Sequence, residues 1–337
     1  MSKLRNISSD YYWLLAVVFF FLIVSLFLDQ FQISLAILIL FWALLGAAWN
    51  ILGGYAGQFS FGHAAYYGIG AYASVVLLLN YDLSPWVGML AGAALAGLFA
   101  LLIGYLSFRY GLKGAYFALA TFAFAEMLRL IASELELINT SVGIHVPLIG
   151  GDSWLRLQFE DTPTNFFYSI LILFVLVMVV SIWVARHKVG YYFQAIREDE
   201  DAASALGVDP VGFKLAAIVI SGALTALGGS FFVQHFGFVS PELVFGVAIS
   251  IEILLRPIVG GIGTIWGPLI GAIVLTPLAE FTRTFVRNPP PFLEVIEGRA
   301  GVDVMIFGVI LIAIIIFMPD GIVGAAKRLG ERYISRE

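Results

Sequence analysis

Residues Ile33 to Leu52 read ISLAILILFWALLGAAWNIL, a run of twenty residues that contains no charged side chain. A helix of about 20 apolar residues is long enough to cross the hydrocarbon core of a bilayer. Strands of a membrane barrel are instead about 10 residues long and alternate between apolar and polar side chains. The run therefore predicts a membrane-spanning helix, in which every backbone group is hydrogen-bonded within its own segment.

The rest of the chain repeats this pattern. Of its 337 residues, 61% are hydrophobic and 12% are charged, whereas a soluble domain has about 25% charged residues. We predict an all-α integral membrane protein, a polytopic bundle of about eight to ten transmembrane helices in a single domain, residues 1–337. The eighth and ninth segments are short, so we expect half-helices there. The ten segments are Tyr12–Leu28, Ile33–Leu52, Phe61–Leu79, Trp86–Phe108, Ala115–Leu135, Phe166–Val184, Phe213–Gln234, Leu243–Val259, Trp266–Phe281 and Val302–Phe317.

Several classes of function are disfavoured by composition. The net charge of −5 and the lack of a basic run argue against nucleic acid as a partner. Without cysteine there is no disulfide, thiol nucleophile or thiolate metal site. No metalloprotease, nucleophile-elbow or nucleotide-binding loop motif occurs. We therefore expect no enzymatic activity, no bound metal and no cofactor, and any ATP that drives transport would be hydrolysed by a separate protein.

Basic residues predict the orientation, because they concentrate on the cytoplasmic side of membrane proteins. An uncleaved first segment with a cytoplasmic N-terminus places twelve of the 18 Lys and Arg residues inside. Residues 138–165 then form a periplasmic loop, residues 189–212 form a cytoplasmic loop, and the C-terminus is cytoplasmic. The twelve are Lys3, Arg5, Arg109, Lys113, Arg186, Lys188, Arg197, Lys214, Lys327, Arg328, Arg332 and Arg336.

The cytoplasmic loop contains QAIREDEDAASALGVDP, Gln194 to Pro210, which predicts one short helix capped by Gly207. An amphipathic helix of this kind either docks on a partner or lies on the membrane. The four consecutive acids from Glu198 to Asp201 disfavour the membrane, since anionic lipid repels them. The candidate contacts with a partner are Ile196, Arg197, Glu198, Asp201, Ala202, Ala203, Leu206 and Gly207, of which Ile196, Ala203 and Leu206 fall near one face.

Two glycine-rich stretches are predicted to interrupt the spans. The first reads GGYAGQFSFGHAAYYGIGAY, residues 53–72, and the second GGIGTIWGPLIG, residues 260–271. Broken helices expose backbone groups that can bind a polar solute, although the glycines could equally allow close helix packing. The predicted breaks are Gly53, Gly54, Gly57, Gly62, Gly260, Gly261 and Gly263. The candidate solute contacts are three polar residues of the first stretch, Gln58, Ser60 and His63.

Two acid–base pairs lie within spans. Glu126 and Arg129 are three residues apart, and Glu252 and Arg256 are four apart, so each pair shares a helix face. A lone charge at the bilayer centre costs about 3 kcal/mol on insertion scales, which a same-face partner offsets. We interpret both as structural ion pairs. The alternative is that Glu126 or Glu252 faces the pathway and meets the ammonium group of an amino acid.

Together these stretches resemble the branched-chain amino acid permease family of ATP-binding cassette importers, in its larger-permease type. The spacing Asp201-Ala202-Ala203-x-x-x-Gly207 is similar to the Glu-Ala-Ala-x-x-x-Gly loop of importer permeases that docks on the ATPase. The other matching pieces, in order, are WNILGGYAGQFSFGHAAYYGIGAY (49–72), YFALATFAFAEMLRLI (116–131), SGALTALGGSFF (221–232), SPELVFGVAISIEIL (240–254), VGGIGTIWGPLIGA (259–272) and MPDGIVG (318–324).

The resemblance implies a permease subunit in the bacterial inner membrane that translocates branched-chain or related amino acids. Its implied partners are two ATPase subunits, a second related permease, a periplasmic solute-binding protein and membrane lipid. Permeases for urea, short-chain amides and aromatic acids share these motifs, so the solute stays open. An ion-coupled secondary carrier is the alternative from a different class, because broken helices and intramembrane charges suit it as well.

Overall fold

The computed structural model describes residues 2–135, 142–147, 150–159, 163–290, 298–299 and 301–334, with side chains from residue 9 to residue 328 of those ranges. Two short strands accompany the helices, β1 (Ile144–His145) and β2 (Phe238–Val239). The helices are α1 (Ser2–Val24), α2 (Gln30–Asn50), a π-helical segment (Ile51–Tyr55), α3 (His63–Tyr81), α4 (Pro85–Arg109), α5 (Gly114–Glu134), α6 (Thr164–Arg186), α7 (Lys188–Glu198), α8 (Glu200–Ala205), α9 (Pro210–Phe236), α10 (Pro241–Phe245), α11 (Val247–Gly261), α12 (Gly267–Arg287), α13 (Val302–Phe317) and α14 (Gly321–Ile334).

The predicted all-α membrane fold is confirmed. In the described part of the chain, eight helical stretches are long and apolar enough to cross a membrane. The expectation of half-helices is wrong for the ninth segment, whereas the eighth is divided: Gly246 is extended (φ −60°, ψ 140°) and separates α10, of 5 residues, from α11, of 15 residues. The ninth, Gly267–Arg287, contains 21 residues, or about 30 Å of helix. The ninth helix outlasts its apolar run because Glu280 and Arg283 continue it as an ion pair, with 3.1 Å between Oε2 and Nη1.

The core of the bundle is built on α9, which packs against α3 and α4. The α3–α9 contact is backbone against backbone. A Cβ atom added to Gly229 would lie 1.9 Å from the carbonyl oxygen of Tyr67, and one added to Gly70 would lie 2.0 Å from that of Ala226. Only glycine permits such an approach, as at close helix crossings in membranes. A second group forms around α2, which packs against α6, α11 and α12, whereas α13 buries none of its residues.

One end of the bundle is closed by the segment between α5 and α6. There β1 pairs antiparallel with β2, with Ile144 opposite Val239. The indole nitrogen of Trp86, at the start of α4, donates to the carbonyl oxygen of Trp154 at 2.8 Å. Within the predicted periplasmic loop, residues 138–141, 148–149 and 160–162 lie outside the described residues. The side chains of Lys3, Arg5, Arg332 and Arg336, used above for the orientation, lie outside the described part too.

The predicted single helix from Gln194 to Gly207 is wrong, because the chain forms two helices there. Asp199 is extended (φ −156°, ψ 110°) and ends α7. Its carboxylate then accepts hydrogen bonds from the backbone nitrogens of Asp201 and Ala202, each at 2.9 Å, and so caps α8. The predicted stop at Gly207 is confirmed. Gly207 has φ +85°, and the following N–H of Val208 donates to Ala203 at 3.1 Å, as in a glycine-terminated helix.

Candidate functional site

The first glycine-rich stretch begins without a break. After Asn50 the helix winds on as the π-helical segment, in which the N–H of Ala56 donates to the carbonyl of Ile51 at 3.3 Å. Gly53 and Gly54 therefore do not interrupt the helix, and their prediction as breaks is wrong. Gly53 is instead covered by the ring of Trp49, whose Cη2 lies 2.2 Å from the place of a Cβ atom.

The chain leaves the helix only at Gly57, where φ is +69°, and re-enters at Gly62, directly before α3. In the second stretch, Gly260 lies inside the last turn of α11 and is not a break either. It lets α12 approach, since a Cβ atom there would lie 1.7 Å from the carbonyl oxygen of Gly267. Gly261 (φ +134°) and Gly263 (φ +74°) form the true turn between α11 and α12.

Asn50 joins the two stretches. Its Nδ2 donates to the carbonyl oxygen of Thr264, and its Oδ1 accepts from the backbone nitrogen of Gly263, both at 2.9 Å. The amide is fully buried. The site residues predicted from the sequence do not include Asn50, although it is the one carboxamide in the apolar run from Ile33 to Leu52. A polar group in such a run tends to mark a buried contact between segments.

The polar residues of the first stretch are buried but are not joined in one site. The carbonyl oxygen of Ser60 accepts from the indole of Trp49 at 2.9 Å. Gln58 donates to Ala56, in its own turn, at 3.1 Å. His63 Nε2 lies 2.8 Å from the hydroxyl oxygen of Ser221. These bonds tie the turn and α3 to α2 and α9.

The tautomer of His63 follows from its partner. The hydroxyl of Ser221 donates to the carbonyl oxygen of Ala48 at 2.7 Å, so it accepts from His63, whose Nε2 carries the proton. His63 Nδ1 is then an acceptor. Both this atom and the hydroxyl of Tyr66 are buried without a hydrogen-bond partner in the described structure, an arrangement that costs about 1–3 kcal/mol for each group.

The predicted ion pair on α5 is formed, and it also includes a third residue, Glu242. Arg129 Nη2 lies 2.6 Å from Glu126 Oε1, and its Nη1 lies 2.6 Å from Oε1 of Glu242 on α10. The Glu126 side chain is 36% exposed, about 18 Å along the helix from Gly114. A charge facing lipid near mid-membrane costs about 2.5–3.5 kcal/mol. This face of α5 therefore fits contact with water or another protein better than contact with lipid.

The second predicted pair is also present. Arg256 on α11 is only 2% exposed and is bonded to the carboxylate and carbonyl groups of Glu252. Its guanidinium lies 4.1 Å from the ring centre of Trp42, and a cation over an aromatic face is stabilised by the ring electrons. Glu252 is part-exposed. The buried cation is thus compensated by two partners, and the acid reaches the surface.

The predicted partner-binding residues divide between two surfaces. Ile196 and Ala203 are buried against the bundle, whereas Leu206 is 87% exposed. The expectation that these three share one face is wrong, because the chain turns at Asp199. Arg197 is exposed as a whole, but its Nη1 reaches the bundle and donates to the carbonyl oxygen of Gly54 at 2.7 Å. The other predicted contacts, Glu198, Asp201, Ala202, Leu206 and Gly207, are also exposed.

Glu200 holds α8 to the membrane helices. It accepts from Nζ of Lys214, at the start of α9, at 2.6 Å, and from Nζ of Lys113, between α4 and α5, at 3.2 Å. Lys214 is 3% exposed and also lies 5.5 Å from the ring centre of Phe108. Burial raises the pKa of Glu200, but hydrogen bonding and the charges of Lys214 and Lys113 outweigh it and hold that pKa below its ordinary value. The sequence places Glu200 in the acidic run but does not indicate its partners.

Two neighbouring cavities open beside α7. The larger, about 360 Å³, is lined by Asp10, Arg186, Trp266 and Lys327 among others, and the smaller, about 310 Å³, by Arg197 and Glu198. They share Tyr55, Gln194 and Gly263. No group of His, Cys, Asp and Glu side chains in the described residues could hold a metal ion.

Comparison with known proteins assigns the family. Residues 31–317 match a family model described as "Branched-chain amino acid transport system / permease component". The chain belongs to this family. No solved structure matches the chain.

Individual relatives of this family member include permeases for different solutes. The branched-chain amino acid permease protein LivM of Escherichia coli is 31% identical over 274 residues, 75% of this chain and 64% of LivM. This chain thus spans less than two thirds of the length of LivM. LivH of Salmonella typhimurium is 23% identical over 299 residues, 84% of this chain and 91% of LivH. The autoinducer 2 import permease LsrC of Yersinia enterocolitica is 25% identical over 229 residues, 64% of this chain and 60% of LsrC.

Proposed function

We propose that this chain is the membrane-spanning permease subunit of an ATP-driven bacterial importer for branched-chain or related amino acids. It would work in the inner membrane with ATPase subunits, a second related permease and a periplasmic binding protein. Membership of the family, together with the named functions of LivM and LivH, supports the solute class. The name of LsrC shows that another solute is compatible with a similar sequence.

One observation carries the proposal: the exposed surface of α8, with Asp201, Ala202, Leu206 and Gly207 facing outward. The helix is capped at both ends and held by Glu200 to two lysines. An exposed leucine on an anchored acidic helix is suited to a groove with a basic rim. We therefore assign this surface to the ATPase and place α7, α8 and both chain termini in the cytoplasm.

In this proposal the solute passes along the faces of α5 and α11 on which Glu126 and Glu252 are part-exposed. Each carboxylate lies on a membrane-spanning helix, is paired with an arginine and still reaches the surface. Charges of this kind commonly mark solute or ion pathways in membrane proteins. The ammonium group of an amino acid matches both carboxylates. Ser60 and His63, which are buried, would be reached only in another conformation of the permease.

The test is uptake of radiolabelled leucine by proteoliposomes that contain the complete importer. Uptake should require ATP, the ATPase subunits and the binding protein. The substitution Leu206→Asp places a charge in the proposed groove, and we expect it to lower uptake at least tenfold, or about 1.4 kcal/mol.

The matched control is Leu155→Asp, at another exposed leucine, between α5 and α6, which should leave coupling to the ATPase intact. ATP-independent uptake by the chain alone, driven by an ion gradient, would refute the proposal in favour of a secondary carrier. If the importer transports amides or urea instead of leucine, the assignment as a permease holds and only the proposed solute is wrong.

A further inference from the structure

Arg197 lies where the two glycine-rich stretches meet. It belongs to the last turn of α7, and its guanidinium enters the bundle to reach the carbonyl oxygen of Gly54 at 2.7 Å. A Cβ atom added to Gly57 would lie 2.8 Å from Arg197 Cγ, and one added to Gly263 would lie 2.5 Å from Nη1. The arginine side chain therefore lies in a slot with backbone from the first stretch on one side and backbone from the second on the other.

The bond to Gly54 has a clear chemical reason. The last carbonyl groups of any helix lack partners in that helix and carry partial negative charge. Beyond the π-helical segment, the backbone nitrogens of Ala56 and Gln58 donate to Ile51 and Leu52, not to Gly54. A guanidinium at this position supplies a charge-assisted hydrogen bond, which is stronger than a bond between neutral groups. Arg197 thus closes the end of the π-helical segment from outside.

The slot is continuous with both the docking surface and the core. On one side, α7 leads through Asp199 to α8, at whose C-terminal end the exposed Leu206 follows. On the other side, Asn50 bonds to Gly263 and Thr264 and so links the two stretches to each other. A displacement of α7 therefore acts on both stretches through one side chain. The adjoining cavity of about 310 Å³ leaves the guanidinium room to move.

We propose that Arg197 is a positioning residue that transmits the movement of α7 and α8 to both glycine-rich turns during the transport cycle. This inference rests on the proposed function. It adds the residue through which movement driven by the ATPase reaches the membrane helices. Arg197 then acts by holding two turns in register, not by touching the ATPase or the solute. Its loss should separate ATP hydrolysis from solute movement without abolishing hydrolysis.

The experiment measures leucine uptake and ATP hydrolysis in the same proteoliposomes of the complete importer. Arg197→Met keeps a flexible, unbranched aliphatic stem and removes the hydrogen-bond donors. We expect the number of leucine molecules moved per ATP to fall about tenfold, the factor for loss of a hydrogen bond to a charged group. The control is Arg109→Met, at the last turn of α4, which should preserve the ratio.

A second pair of variants does not alter the arginine at all. Gly57→Ala and Gly111→Ala both place a Cβ atom at positive φ, +69° and +71° respectively. Only the first pushes on Arg197, since nothing lies within 4 Å of a Cβ atom at Gly111. The backbone strain is therefore matched, and we expect the uptake per ATP to fall in Gly57→Ala alone. This pair decides the question if Arg197→Met does not assemble.

The outcomes separate the two proposals. An unchanged uptake per ATP in Arg197→Met, or equal ratios in Gly57→Ala and Gly111→Ala, would overturn the inference and leave the permease intact. A parallel loss of uptake and hydrolysis with a lowered melting temperature would also overturn it, because that result assigns Arg197 a purely structural role. If the unsubstituted importer shows no ATP-driven uptake, the proposed function fails, and this inference fails with it.

Discussion

Replacing Glu200 by glutamine is expected to release α8 from the membrane helices without unfolding the protein. Glutamine keeps the size of the side chain and removes the charge that Lys214 and Lys113 share. Lys214 is then left as a buried cation, since it is only 3% exposed. The exposed Lys113 contributes little, because surface ion pairs are worth about 0–1 kcal/mol.

The magnitude follows from these surroundings. Removing one partner of a fully buried ion pair costs about 3–5 kcal/mol. Glu200 is part-exposed, and Lys214 keeps the face of Phe108 at 5.5 Å, so we expect about 2 kcal/mol for local opening. This corresponds to an opening equilibrium about 30-fold more favourable.

Amide hydrogen exchange of the assembled importer measures this opening. The N–H of Ala203 and that of Leu206 are both hydrogen-bonded in α8 and should exchange about 30-fold faster in Glu200→Gln. Asp201→Asn is the matched control, because Asp201 is 95% exposed and lies 3.8 Å from Lys113. If both variants exchange alike, or if Glu200→Gln stays within twofold of the parent, the anchoring role of Glu200 is wrong.

The same contact predicts a pH dependence. The pKa of Glu200 is lowered from its ordinary value of 4.5, so the contact stabilises the docked α8 at pH values above 4.5 and is lost as the pH falls through the lowered pKa. After correction for intrinsic exchange, protection of α8 should therefore decrease on acidification. In Glu200→Gln this dependence should disappear.

Two further substitutions test the site. Asn50→Leu removes both hydrogen bonds to the second glycine-rich turn and leaves the N–H of Gly263 without its partner. The free energy of unfolding should therefore fall by about 2–3 kcal/mol, measured as a lower melting temperature in detergent. The control Asn80→Leu, at an exposed position, should change that temperature little. Glu126→Gln should raise the leucine concentration for half-maximal uptake, whereas Glu280→Gln, from the ion pair with the same spacing on α12, should not; equal effects would exclude Glu126 from the pathway.

The sequence predicts the membrane helices well because burial in lipid depends on composition over about 20 residues, which a single chain displays directly. It predicts helix ends less well. The predicted ninth segment ends at Phe281 with its apolar run, whereas the helix continues to Arg287 and includes the ion pair of Glu280 with Arg283. The split between α7 and α8 is not visible in the sequence, because Asp199 is one of four consecutive acids and only the structure shows that it caps α8.

The geometry of the candidate site depends on contacts between residues far apart in the chain, which no local sequence pattern predicts. The same-face pairs of Glu126 with Arg129 and of Glu252 with Arg256 follow from helical spacing, and both are formed. The bonds from Asn50 to Thr264 and from Arg197 to Gly54 join segments far apart in the chain. Glycine-rich composition indicated irregular backbone, but only φ angles distinguish a true turn such as Gly57 from a packing position such as Gly53.

The contact between α3 and α9 limits how this molecule can change shape. Gly70 and Gly229 bring two main chains together without intervening side chains, so neither helix can slide past the other by exchanging rotamers. The two helices should therefore travel as one rigid block through any alternating-access cycle. The bending that such a cycle requires is therefore expected outside this pair, at the two glycine-rich turns and at Gly246 between α10 and α11.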